Sequence, residues 1–184
     1  MVYILLAPGF EEAEALVPAD LLRRAEIETA LVSITGEPVP GSHGITVTAD
    51  TNLDGVDLSK ADMVVLPGGG PGHKNLGKEP RVERLVEEAA EKGLWVAAIC
   101  AAPTLLARSG VLPKGARCVC YPGLEGELSQ AGAVPRMDQS TVAEGKLITG
   151  RGPGSAFDFG LALAEALAGP DAAAQVRAGL QYAL

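Results

Sequence analysis

Positive charge is scarce in this chain: fifteen Lys and Arg stand against twenty-three Asp and Glu, for a formal net charge of -8. A polyanion partner needs a basic footprint, so neither specific nucleic-acid binding nor attachment to an anionic membrane surface is expected. Long apolar runs are missing as well. The longest, Val2 to Pro8 and Leu94 to Pro103, fall short of the roughly 20 residues that a membrane helix requires. The opening MVYILLAPGFEE has no basic n-region and its apolar run is of strand length, so it does not read as a signal peptide, and a cytoplasmic protein is expected. Cysteine is sparse and odd in number, at three. Apart from Cys118 and Cys120, one residue apart, nothing has metal-type spacing; no disulfide framework, metal or cofactor is expected, and at least one thiol should be free. Histidine is limited to His43 and His73, which bears on any mechanism that needs an imidazole.

What is present is a globular composition of 47% hydrophobic and 21% charged residues over 184 positions, enough for one domain spanning residues 1–184. Aliphatic runs bounded by Gly and Pro alternate with amphipathic stretches, the mark of βαβ units around a mostly parallel sheet. Strands are expected over Val2–Leu6, Glu28–Ile34, Ile45–Ala49, Asp62–Leu66, Leu94–Ile99, Arg117–Cys120 and Lys146–Thr149. Helices are expected over Glu12–Arg24, Arg81–Lys92, Ala101–Arg108, Ser155–Leu167 and Ala172–Leu180, with Pro18 kinking the first or limiting its early turns. Gly36–Gly44 reads as a loop or hairpin.

Ligands of open parallel sheets gather at the carboxyl ends of the strands, where three loops stand out: Pro8 to Glu14, Pro67 to Gly70, and Ile99 to Pro103. Cys100 sits at a strand-to-helix seam before small residues, as an elbow nucleophile must. There, helix-terminal amides would favour thiolate and lower its pKa; packing as a small buried hydrophobe is the alternative. The amide of Ala101, with Gly68 or Gly69, could hold an oxyanion. Glu14 is either one of three acids completing a helix terminus or a carboxyl whose pKa is raised beside the sulfur. Glu11 and Glu12 fit the helix-terminal role, His43 and His73 fit loops, and Cys118 and Cys120 share one strand face, as packing or as a redox pair. Gly150 to Gly154, with Arg151 inside it, either cradles an anion or turns the chain.

Four segments together, Ala7-Pro8-Gly9-Phe10-Glu11-Glu12-Ala13-Glu14, Val65-Leu66-Pro67-Gly68-Gly69, Ala97-Ala98-Ile99-Cys100-Ala101-Ala102-Pro103 and Gly150-Arg151-Gly152-Pro153-Gly154, resemble the ThiJ/PfpI superfamily in its parkinsonism-associated deglycase branch. The similarity runs from about Tyr3 to about Val176. It implies a flavodoxin-like three-layer α/β sandwich with a cysteine elbow, a homodimer, Cys100 as nucleophile, Glu14 as its protonated partner, and the Gly69 and Ala101 amides as oxyanion donors. The activities it implies are a cofactor-independent glyoxalase or deglycase acting on α-oxoaldehydes or on glycated proteins and nucleotides, or else an oxidative-stress sensor or chaperone using the same cysteine. Tyr121 stands where many relatives carry a histidine, which implies slow turnover. Ala101 stands where protease-like members place one, which argues against an amidase. Arg24 and Arg151 match arginines of the best-known relative, whereas His43 replaces an arginine that reaches across its dimer, so a cross-dimer anion site is implied in weakened form.

Overall fold

The protein is described by a computed structural model covering residues 1–36 and 38–182; Glu37, inside the expected Gly36–Gly44 loop, and residues 183 and 184 lie outside the described residues. The chain runs β1 (Val2–Leu6), α1 (Glu12–Arg24), β2 (Thr29–Ser33), β3 (Val39–Pro40), β4 (Thr46–Val47), β5 (Thr51–Asn52) and β6 (Met63–Leu66). It continues through α2 (Gly70–Leu76), α3 (Pro80–Glu91), β7 (Trp95–Ile99), α4 (Pro103–Arg108), β8 (Arg117–Cys118) and α5 (Glu125–Gln130). It closes with β9 (Val134–Pro135), β10 (Thr141–Glu144), β11 (Leu147–Gly150), α6 (Ala156–Ala168) and α7 (Pro170–Gly179).

The central sheet has seven strands in the order β10-β11-β7-β6-β1-β2-β5, all pairings parallel except the β10–β11 hairpin at one edge. Its inner strands are apolar on both faces because helices cover both. Alternate residues divide cleanly. Val2, Ile4 and Leu6 of β1, with Val65 and Ile99, pack with α1 and α6 through Ala15, Ala19, Leu22, Phe159 and Leu163. Tyr3 and Leu5, with Val64, Leu66 and Ala98, pack against Leu76, Val82, Val86, Leu106 and Leu128 on the other side. This is the three-layer α/β sandwich expected from the alternation and the resemblance.

The chain order reverses between β1 and β6, and the carboxyl ends of strands at such a switch are where open parallel sheets take ligands. Next to it, β7 delivers Cys100. Helix α1 runs unbroken through Pro18, which is buried. Gly160 lets α6 come close there, since a Cβ on it would lie 3.0 Å from the Pro18 Cα.

Several elements differ from the sequence reading. Residues 70–76 form α2 although Gly70-Pro71-Gly72 reads as loop, because Pro near a first turn costs nothing where the N–H has no helical partner. The expected Ile45–Ala49 strand shrinks to β4, which pairs with β3 in a separate hairpin. Similarly, Arg117–Cys120 yields only β8, paired with β9 outside the central sheet. Helix α4 starts at Pro103 rather than at Ala101. No helix among the described residues is long and apolar enough to cross a membrane.

Candidate active site

Cys100 is the first residue beyond β7 and holds φ at 66°, a left-handed conformation that a side chain other than glycine rarely adopts. Backbone bonds enforce it. The Cys100 N–H donates to Gly150 O at 2.9 Å, Tyr121 N–H donates to Cys100 O at 2.7 Å, and Ala102 N–H closes the turn onto Ile99 O at 3.1 Å. The reversal has the form of a strand-to-helix elbow: it lifts the side chain out of the strand while keeping it 8% exposed.

Two loops meet above the sulfur. The Glu11 N–H donates to Gly68 O at 3.2 Å and Gly72 N–H to Gly9 O at 2.9 Å, while the Asn75 side chain caps Pro8 O at 2.9 Å. Gly69 takes φ of 95°, and a Cβ there would fall 2.4 Å from Gly9 O, so only glycine fits this seam. Gly68 is pinned more tightly to the chemistry: a Cβ on it would lie 2.7 Å from Glu14 Oε2 and from Cys100 Cβ, and 3.1 Å from Cys100 Sγ. Sulfur and carboxyl therefore flank one point of backbone. The backbone amides of Gly69 and Ala101 favour the charged form of the sulfur.

Glu14 comes from the first turn of α1 and is fully buried. Its Oε2 accepts the Gly68 N–H at 2.8 Å. Its Oε1 is buried with no hydrogen-bond partner among the described residues. Burial pushes the carboxyl up to about 7, helped by the charge of Glu11 and opposed by the Cys100 thiol and the Gly68 amide. The sequence reading expected the thiol itself to be lowered. Instead, burial pushes Cys100 up to about 12, with the charge and hydrogen bonding of an ionised Glu14 adding to the rise and the Gly69 and Ala101 amides working against it. Helix α4 begins three residues on and gives little help. Two of the upward causes exist only while Glu14 is ionised, so moving the proton from sulfur to Glu14 removes them and turns the carboxyl into a donor. One proton thus serves two buried acids.

Cys118 and Cys120 are buried in the core on the far side of the sheet from α1, and burial pushes both thiols up. His73 Nδ1 lies 2.9 Å from Gly69 O, which ties the ring to the loop as a donor. His43, Arg24 and Arg151 do not gather within one chain. Arg24 pairs with Asp20 at 2.7 Å at the far end of α1, about 18 Å of helix away from Glu12, and Arg151 reaches Met137 O at 3.3 Å. His43 faces acids instead, its Nδ1 3.0 Å from Glu12 Oε2 and 3.5 Å from Glu11 Oε1.

Glu12 has a role that its helix-terminal position did not reveal. Its carboxylate takes the His43 N–H at 2.7 Å, the Ile45 N–H at 3.3 Å and the Ser42 hydroxyl at 3.1 Å, tying the β3–β4 hairpin to α1. Burial works to raise its pKa, but backbone hydrogen bonds and His43 prevail and hold it at about 2. Its partners lie thirty or more residues away, beyond the reach of any local pattern.

Comparison with known proteins bears on the family. A model of the DJ-1/PfpI family matches residues 1–166. Protein dj-1beta of Drosophila melanogaster is 40% identical over 181 residues, covering 98% of this chain and 96% of its own. The crystal structure of Drosophila melanogaster DJ-1beta superposes with a TM-score of 0.93 at 39% identity, covering 100% of this chain and 98% of the other. A Caenorhabditis elegans protein named glutathione-independent glyoxalase DJR-1.2 is 32% identical over 169 residues, 91% of this chain and 89% of that one. With a fold, a buried cysteine elbow and near whole-chain similarity all in agreement, the chain belongs to the DJ-1/PfpI family.

Proposed function

We propose that the protein is a cofactor-independent glyoxalase or deglycase that acts on α-oxoaldehydes such as methylglyoxal, or on their adducts with proteins and nucleotides. The observation that carries this reading is the buried Cys100–Glu14 pair around Gly68, with the carboxyl buried and one of its oxygens left without a hydrogen-bond partner among the described residues. The C. elegans relative named as a glyoxalase supports it.

Sulfur attacks the aldehyde carbon, the carbonyl electron pair moves to oxygen, and the Gly69 and Ala101 amides hold the developing alkoxide. The thiol proton passes to Glu14 and then to that oxygen, giving a hemithioacetal. Glu14 next removes the hydrogen on the former aldehyde carbon as a proton, leaving an enediolate; the hydroxyl proton shifts from the first oxygen to the second, and Glu14 returns its proton to the neighbouring carbon. The product is a thioester of the hydroxy acid. Water cleaves it to lactate and frees the thiol, so no net oxidation occurs and no cofactor is needed. A carboxyl near 7 suits both donor and acceptor duty at neutral pH. Because a single group performs every transfer, turnover should be slow.

The test is lactate formation from methylglyoxal without glutathione. Cys100→Ser should abolish it with the fold retained by circular dichroism, while Cys118→Ser and Cys120→Ser keep wild-type turnover per folded molecule. Lactate production by Cys100→Ser at the wild-type rate would remove the nucleophile.

A second reading uses the same residues. In that reading the Gly69 and Ala101 amides, which favour a charged sulfur, and a protonated Glu14 hold the oxygens of a sulfinate formed from Cys100 by peroxide, as an oxidative-stress sensor or redox-regulated chaperone requires. For either role we propose a cytoplasmic homodimer, with Arg24, His43 and Arg151 near the contact between copies.

A further inference from the structure

The chain has one tryptophan, three tyrosines and three phenylalanines, and the structure accounts for every ring but one. Tyr3, Phe10 and Phe159 are buried, and the Tyr3 hydroxyl accepts the Asp57 N–H. Trp95 lies beneath Lys146 Nζ at 4.6 Å. Phe157 and Tyr182 stack with centroids 5.2 Å apart, and the Tyr182 hydroxyl donates to Asp158. Tyr121 alone remains, 49% exposed and with no aromatic, cationic or side-chain hydrogen-bond partner among the described residues. An unpartnered ring half in water is ordinary on a surface. This one is not at an arbitrary place.

Its own peptide N–H is bonded to the carbonyl of Cys100 at 2.7 Å, so its backbone is fastened to the elbow. The ring rests on Gly152, where a Cβ would lie 3.4 Å from Cδ2 and 3.8 Å from Cε2. That glycine lies two residues after Gly150, whose carbonyl holds the Cys100 N–H at 2.9 Å. The turn is closed by Leu124 N–H onto Tyr121 O at 3.2 Å, and Pro122 stiffens it, so the ring stands on a rigid support. An exposed aromatic face whose support is tied at two points to the Cys100 elbow can favour a flat, unsaturated group over a methyl group by offset stacking.

We infer that Tyr121 is a specificity-determining residue at the mouth of the Cys100 site, selecting α-oxoaldehydes whose ketone carbon carries an aromatic or other planar substituent. The inference rests on the glyoxalase reading. Phenylglyoxal, turned over to mandelate, is the probe, with methylglyoxal to lactate as the reference. Truncating the ring in Tyr121→Ala should lower the phenylglyoxal-to-methylglyoxal ratio of kcat/KM by up to about tenfold, the size of one aromatic pair, with the loss in KM for phenylglyoxal rather than in kcat. Tyr121→Phe should keep the wild-type ratio, because the face and not the hydroxyl does the selecting. A ratio unmoved in Tyr121→Ala, or lost equally in Tyr121→Phe, overturns the role of the ring while leaving the activity standing. Turnover of neither aldehyde by wild-type protein overturns the underlying reading and the inference with it.

Discussion

At the scale of single residues, the chemistry depends on where two buried acids keep their protons. Glu14 is fully buried, and its carboxyl is raised from the ordinary 4.5 to about 7 in the folded protein. Between those values the folded state binds more protons than the unfolded state, so stability is at its fullest below about 4.5 and falls as pH rises through about 7. Glu14→Gln removes that burden while its amide oxygen can still accept the Gly68 N–H. In urea titrations the variant should therefore match wild type at pH 4 and exceed it at pH 8 by at most about 3 kcal/mol. A gap that is the same at both pH values would show that burial does not perturb this carboxyl. Glu12 behaves with the opposite sign. Its carboxyl is held at about 2, so its contribution is present above about 4.5 and is lost as pH falls toward 2.

At the scale of elements, the loops owe their placement to backbone contacts that admit no extra atoms. Gly68→Ala would put a methyl group within 2.7 Å of both Glu14 Oε2 and Cys100 Cβ, in the middle of the reacting groups. Displacing either by an ångström should cut kcat/KM by about a hundredfold, measured on methylglyoxal in protein whose circular dichroism is native. Undiminished turnover would place the reacting groups elsewhere. On the α1 side, Glu12→Ala orphans the amides of His43 and Ile45, each bonded to its Oε1. The variant should lose about 1–3 kcal/mol, with hydrogen exchange quickening at residues 43 and 45 and the central strands protected as before.

These elements were unequally legible in the sequence. Strands β1 and β7 could be read because a strand covered by helices on both sides is a continuous aliphatic run, and α1 because Ala15, Ala19 and Leu22 recur on one face. Helix α2 was not legible, since Gly70-Pro71-Gly72 carries every sign of a loop and is held helical by tertiary bonds such as Gly72 N–H to Gly9 O. Short strands β5 and β9, of two residues each, leave no periodicity to find. Within the site, spacing and resemblance picked out Cys100, Glu14, Gly68 and Gly69, which the fold brings together at one crevice. The direction of the thiol's shift was not legible. It follows from burial, and burial is set by the packing of loops far apart in sequence.

At the scale of the whole molecule, the chain order switches between β1 and β6, and β7, the neighbour of β6, carries Cys100 to the same end of the sheet. The functional reading reduces to one physical claim: Cys100 and Glu14 titrate as a unit, and loss of the pair's first proton near neutral pH leaves one proton shared between them and makes the sulfur reactive. The most direct measurement is the pH dependence of Cys100 alkylation by iodoacetamide, followed by mass spectrometry in wild type and in Glu14→Gln. For wild type, the rate should rise with an inflection near 7, where the pair gives up its first proton. In Glu14→Gln no such step remains, and alkylation should move to higher pH, because burial raises the unaided thiol and no carboxyl is left to take its proton. Identical profiles in the two proteins would contradict the shared proton and the chemistry built on it.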